Sequence, residues 1–185
     1  RVVCTNKASR RGVVTTDAVR FGGGMGNIER GGYTSGLPRC LEGARYYAQW
    51  AGAPYKVYGG RKGENDYADD INTRSLMTNW LGGGSVYMPA KNGKHVPIEL
   101  SLALHSDAGY NKDGKSTVGA LAICTTDYND GILNSGISRF TSKDFARALR
   151  DNLVTDLTAQ FGEFGKRYLW DRNYSETRLP QVPSA

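Results

Sequence analysis

Ile98-Glu-Leu-Ser-Leu-Ala-Leu-His105-Ser-Asp107-Ala-Gly109 is an apolar run of strand length that ends abruptly in polar residues. Leu100, Leu102 and Leu104 alternate with Ser101 and Ala103, so the leucines share one strand face and the small residues leave room for a helix on the other. In an open α/β sheet, ligands and metals sit outside the carboxyl ends of the strands. His105 and Asp107 stand at that position, and the whole chain holds only two histidines. By itself His105 reads as a structural hydrogen-bonding group, a metal ligand or a catalytic base. Asp107 can orient the imidazole, bind metal or cap the turn before Gly109.

Downstream, Val118-Gly-Ala-Leu-Ala-Ile-Cys124 reads as a second buried strand. Thr141-Ser-Lys-Asp144 resembles a capping box that opens a helix with Phe145, Leu149, Leu153 and Leu157 on one face. The stretch Tyr168-Leu-Trp-Asp-Arg-Asn-Tyr-Ser-Glu-Thr-Arg178 mixes aromatic and charged side chains and suits a surface that grips a hydroxyl-rich ligand better than a core.

Upstream, Pro38 predicts the start of a helix with Leu41, Ala44, Ala48 and Ala51 as its apolar stripe, closed by Gly52 and Pro54. Arg45 and Gln49 are expected to face solvent. Tyr55–Tyr58 reads as a short strand. Glu64-Asn-Asp-Tyr-Ala-Asp-Asp70 lacks the spacing of a calcium loop and precedes a helix carrying Ile71, Met77, Trp80 and Leu81, so its carboxylates are expected at the helix N-terminus. His95 falls in an exposed polar loop. Residues 22–32 are glycine-rich but form neither a dinucleotide fingerprint nor a P-loop, and Glu29 there is a candidate ligand contact. Residues 1–21 read as two β-strands, which cannot stand alone as a unit.

Alternating helices and strands, two of the strands apparently buried on both faces, predict an α/β sandwich with a mostly parallel sheet, preceded by the short all-β segment. At 185 residues the chain suits one domain or one domain plus a fragment of another. No apolar run approaches the ~20 residues that span a bilayer. The net charge of +6 comes from scattered basic residues without a nucleic-acid-binding motif, which disfavours nucleic acid and favours a solvated basic surface or an anionic glycan. The three cysteines, Cys4, Cys40 and Cys124, lack metal-type spacing, and Cys4 and Cys124 sit in strand-like runs as buried thiols. A catalytic zinc takes about three protein ligands, so any site at His105 must recruit carboxylates or groups outside these residues. No nucleophile elbow is present, which disfavours a serine triad.

His105-Ser-Asp-Ala-Gly109 followed by the Val118 strand resembles the zinc-dependent N-acetylmuramoyl-L-alanine amidases, in which a strand leads into an S-I-H-x-N motif. The helix around Asp70-Ile-Asn-Thr-Arg74-Ser-Leu-Met-Thr-Asn79 resembles that family's Arg…Ala-Asn helix. A closer resemblance is to large Bacteroidetes proteins described as xanthan lyases, whose core is amidase-like. It runs through residues 20–185, in Arg20-Phe-Gly-Gly-Gly-Met-Gly26, Arg30-Gly-Gly-Tyr-Thr-Ser-Gly36, Glu42–Gly52, Asn65–Asp70 and Leu169–Glu176.

The resemblance implies a three-layer amidase-like domain over residues 22–185, with 1–21 closing a golvesin-like β-sandwich module. It implies a secreted, periplasmic or cell-surface zinc hydrolase that cleaves the amide between muramic acid and L-alanine in peptidoglycan or a related glycopeptide. His105 carries over as a zinc ligand. Asp107 stands where the family has asparagine. The family's other His and Glu ligands fall in a Gly-His-Gly strand and the segment after it, and its catalytic glutamate falls beyond Ala185, so the remainder of a longer parent protein is an expected partner. Asp107, Glu29, Arg172, Tyr174 and Glu176 are the expected substrate contacts. Two other readings use the same residues: a polysaccharide lyase working through Tyr174, Arg172 and His105, and a non-catalytic glycan-binding module built on Tyr174, Trp170 and Arg172.

Overall fold

The computed structural model describes Thr5, Lys7 and residues 36–38, 41–62, 64–106, 112–114, 116 and 118–185. The two strands expected in 1–21, the glycine-rich loop with Glu29, Cys4, Cys40 and Asp107 lie outside the described residues. Among the described residues, five helices and two strands follow in the order α1 (Ala44–Trp50), α2 (Tyr55–Tyr58), α3 (Asp66–Gly82), β1 (Ala120–Cys124), α4 (Phe140–Phe161), β2 (Lys166–Asp171) and α5 (Ser175–Arg178).

The described residues of the first half, before 98, are mainly helical. Asn65 caps α3, its side-chain oxygen accepting from the Ala68 amide at 2.9 Å. The acidic residues expected at that cap do something else. Buried Asp69 accepts from the Arg61 amide at 2.6 Å, and Asp70 accepts from the Arg45 amide at 2.9 Å, at the start of α1. Asp70 lies so close to Gly43 that a Cβ there would collide with its carboxylate. This tie places the helix start at Ala44, six residues beyond Pro38, and turns Arg45, Ala48 and Gln49 inward. Arg45 and Gln49, expected in solvent, are therefore buried, whereas Leu41 of the expected apolar stripe is 67 % exposed. Tyr55–Tyr58 is a helical turn and not a strand. Pro54 begins it with an extended ψ, and its carbonyl accepts from the Val57 amide at 2.8 Å. Ala48, Ala53, Val57 and Tyr58 form the core of this half, against Leu76, Met77 and Trp80 of α3.

The second half is a β–α–β unit. β1 and β2 pair in parallel, with Ala122 opposite Leu169 and Cys124 opposite Asp171, and α4 connects them. Parallel neighbours need such a crossover. The Val118 run thus forms the expected strand, and its Ala122 and Cys124 pack on Ala146 of α4 with Leu169 and Ala185. The Cys124 thiol is buried and free, as expected. α4 starts one residue before the expected capping box. Ser138 does the capping: its carbonyl accepts from the Thr141 hydroxyl at 2.7 Å and its hydroxyl from the Phe140 amide at 3.2 Å. The inward residues of α4 are Ser142, Ala146 and Arg150, while Leu153 of the expected apolar face is 40 % exposed.

The Ile98 run is extended beside the chain end. Ser101 and Ser184 form a parallel bridge, and the Ser101 and Ala103 amides donate to the carbonyls of Pro183 and Ala185 at 3.0 and 2.9 Å. Alternation holds, with Ser101 and Ala103 half-buried. The leucine face is not covered by the described residues: Leu100, Leu102 and Leu104 are 49, 55 and 86 % exposed, so this segment is not buried on both faces. The described architecture is thus mixed helix and strand around a small parallel sheet. His95 is exposed, as expected, with its Nδ1 3.1 Å from the Gly84 carbonyl. Among the described residues no helix is long and apolar enough to cross a membrane.

Candidate functional site

A cleft of about 410 Å³ opens where three elements meet. α3 contributes Arg74, Ser75 and Thr78, the extended segment contributes Ser101 to His105, and α5 contributes Glu176. Spacings of one, three and four residues put Arg74, Ser75 and Thr78 on adjoining faces of one helix. His105 reaches the rim because the ladder with 183–185 carries the segment straight to it.

Glu176 is the centre of this site. One carboxylate oxygen, Oε1, lies 4.0 Å from His105 Nε2 and 3.9 Å from an Arg74 guanidinium nitrogen. The other accepts from the Ser175 hydroxyl at 2.9 Å. The Arg74 guanidinium is also held by Asp70 at 3.2 Å, so it is positioned from both ends of its fork. Side-chain exposure rises from 17 % at Glu176 through 43 % at Arg74 to 61 % at His105. The imidazole is therefore the group presented to solvent, with an anchored carboxylate behind it. An ion pair this exposed contributes at most about 1 kcal/mol to stability. Its value is positional.

Buried bonds hold the short helix α5 in place. The fully buried Arg139 donates to the carbonyls of Arg178 and Thr177 at 2.9 and 3.4 Å. Burial lowers its pKa, and the neighbouring Tyr128 opposes that shift. The Thr177 hydroxyl pairs with that of Thr125 at 2.8 Å, and the Ser184 hydroxyl donates to the Thr177 carbonyl at 2.9 Å. From α3, the Ser75 hydroxyl donates to the Ser175 carbonyl at 3.2 Å and the Asn79 amide to that of Leu179 at 2.8 Å.

Of the residues expected from sequence, the structure brings His105 and Glu176 together. Arg172 and Tyr174 follow β2 and do not line the cleft; Arg172 instead lies 4.6 Å over the Trp170 ring. Asp107 and Glu29 lie outside the described residues. Arg74, Ser75 and Thr78 were missed as site residues. The Asp70–Arg74 spacing of four on a helix was the available signal, but it reads equally as a solvent-exposed pair.

A catalytic zinc takes about three protein ligands. The cleft offers one free imidazole and one carboxylate already engaged by Ser175 and Arg74. Among the described residues no group of three His, Cys, Asp or Glu side chains could hold a metal. These residues alone do not make a zinc centre. The cleft as described can bind a polar group between a guanidinium and an imidazole, beside the apolar rim of Leu102 and Leu104. No protein-family model, curated protein or solved structure matches the chain.

Proposed function

We propose that this chain is part of a zinc-dependent hydrolase of the N-acetylmuramoyl-L-alanine amidase type, acting on peptidoglycan or a related glycopeptide. The observation that carries this reading is His105, exposed at the end of an extended segment and 4.0 Å from the anchored Glu176. The motif resemblance supports it from both sides of that strand. In this reading the parallel sheet continues as the middle of three layers, and the protein acts outside the cytoplasm.

When bound, the metal would polarise the scissile carbonyl and lower the pKa of a water molecule. His105 would supply one ligand, and the remaining ligands would have to come from groups outside the described residues. Arg74, steadied by Asp70, would orient a carboxylate of the stem peptide. Glu176 would hold the imidazole through its second nitrogen or accept from a substrate N–H. The lyase reading needs Tyr174, Arg172 and His105 to converge on one sugar, and of these the cleft is lined by His105 alone.

The test is metal content and product analysis of the full parent protein. About one zinc per chain, lost in His105→Ala, together with peptide released from peptidoglycan, is the expected result. Absence of zinc would overturn the reading, and an unsaturated uronate absorbing in the ultraviolet would replace it with the lyase.

A further inference from the structure

A second surface lies on β2 and the residues that follow it. Leu169 packs against Ala122, Cys124 and Ala146, so the odd-numbered side of β2 faces α4. The ladder is regular from Leu169 onward and turns Trp170 to the opposite side, and Tyr168, next to the irregularity in register between Lys166 and Leu169, joins it by ring contact. The ladder runs one residue further, the Arg172 amide donating to the Cys124 carbonyl at 2.8 Å, which keeps Arg172 in step with Trp170. Tyr174 closes the row. Its ring centroid is 6.2 Å from that of Trp170, and that of Tyr168 is 5.8 Å away on the other side. Tyr168 and Tyr174 are 56 and 46 % exposed. The Arg172 guanidinium is exposed and rests on the indole, with no carboxylate partner among the described residues.

An exposed guanidinium resting on an indole that two exposed tyrosines also contact is a built arrangement. Arg172 is held by cation–π attraction, so little entropy remains to be lost when it binds. Its planar fork matches a carboxylate. The tyrosine faces offer apolar contact and their hydroxyls offer hydrogen bonds, which matches a ring with an apolar face and a hydroxylated rim. The rings stand at 81° and 63° to Trp170, so they cannot extend one continuous stack of bases. A nucleic acid would also need several phosphate contacts.

We propose that Tyr168, Trp170, Arg172 and Tyr174 form a binding surface for an acidic oligosaccharide, with Arg172 gripping the carboxylate of one sugar and the tyrosines packing on its neighbours. The surface shares Arg172 and Tyr174 with the substrate contacts expected from sequence, but it needs neither the cleft nor a metal.

The test is calorimetric titration of the chain at low salt, with EDTA present, using hexagalacturonate, neutral cellohexaose and a thymidine dodecanucleotide as probes. Hexagalacturonate is expected to bind about tenfold more tightly than cellohexaose, the difference one charge-assisted contact makes. Arg172→Gln should weaken it about tenfold and Tyr168→Ala about fivefold, both with unchanged circular dichroism and melting temperature. No binding of hexagalacturonate, an affinity indifferent to Arg172→Gln, or tighter binding of the oligonucleotide would each overturn the proposal. Because EDTA is present throughout, failure here leaves the hydrolase reading standing, and failure of that reading leaves this one.

Discussion

Each half of the molecule has a small apolar core, Ala48, Ala53, Val57 and Tyr58 in the first and Ala122, Cys124 and Ala146 in the second, whereas the seam between α3 and α5 is polar. The long helix α3 buries a polar row, with Asp69 and Thr73 each 1 % exposed, Ser75 4 % and Asn79 7 %. Those polar groups are partnered: Thr73 with the Asp69 carbonyl, Ser75 with Ser175, Asn79 with Leu179 and Gln181. The difference teaches where the cleft comes from. α3 faces α5 through hydrogen bonds rather than through a sealed apolar seam, and such a seam leaves polar side chains such as Arg74 and Thr78 available at its open end.

If directed bonds hold the α3–α5 seam, removing one should cost more than its small area suggests. The largest effect is expected at Arg139, whose loss takes the guanidinium donor from the Arg178 carbonyl and leaves the Thr177 carbonyl with the Ser184 hydroxyl alone. Arg139→Ala should lower unfolding stability by about 3 kcal/mol in urea denaturation. A cost within ~0.5 kcal/mol would show that α5 is held by packing alone. Asn79→Ala removes both a donor to Leu179 and an acceptor for the Gln181 amide, 2.8 and 2.9 Å away. About 2 kcal/mol is the expected loss, and hydrogen exchange should rise first at Gln181. Gly43→Ala tests the other contact of α3. Its Cβ meets the Asp70 carboxylate, so about 1 kcal/mol should be lost as that side chain is displaced. The double change Gly43→Ala with Asp70→Asn should cost less than the sum of the two single changes.

The smallest effect belongs to the apolar core around Cys124. Burial, with the charge of Asp171 adding to it, pushes the Cys124 thiol up to about 11. Thiolate is then disfavoured in the folded state. The associated stability is present below the ordinary thiol value near 9 and is lost as the pH rises from there towards 11. A thiol reagent should label Cys124 at pH 8 only as fast as the protein opens. Labelling at the rate of a free thiol would show that this core is not closed.

Much of the second half was legible from sequence. Val118–Cys124 combines β-branched and small apolar residues with strand length, and Ala120–Cys124 within it forms β1. The helix after Thr141 exists, although Ser138 caps it. The first half was harder to read because its stripes mislead. Leu41 and Ala51 suggested the buried side of α1, but Asp70 bonds the Arg45 amide and rolls Arg45 and Gln49 inward instead. No local pattern announces a carboxylate arriving from 25 residues away. At Tyr55–Tyr58 the aromatic, β-branched composition favoured a strand, and a four-residue turn set by Pro54 formed instead.

The candidate site divides along the same line. Alternation in 98–104 holds in the extended segment that leads to His105, because side-chain direction along an extended chain is a local property, but the expected strand is reduced to one isolated bridge at Ser101. The companions of His105 were another matter. Glu176 is separated from it by a parallel connection, and Arg74 lies on a helix that meets α5 only after folding. Their meeting depends on Arg139, Thr177, Ser75 and Asn79, which join distant segments through backbone carbonyls. The sequence by itself determined which residue types the end of that segment would present. Tertiary structure alone decided which carboxylate and which guanidinium would stand beside the histidine, since such contacts arise from packing between elements and leave no periodic trace in the chain.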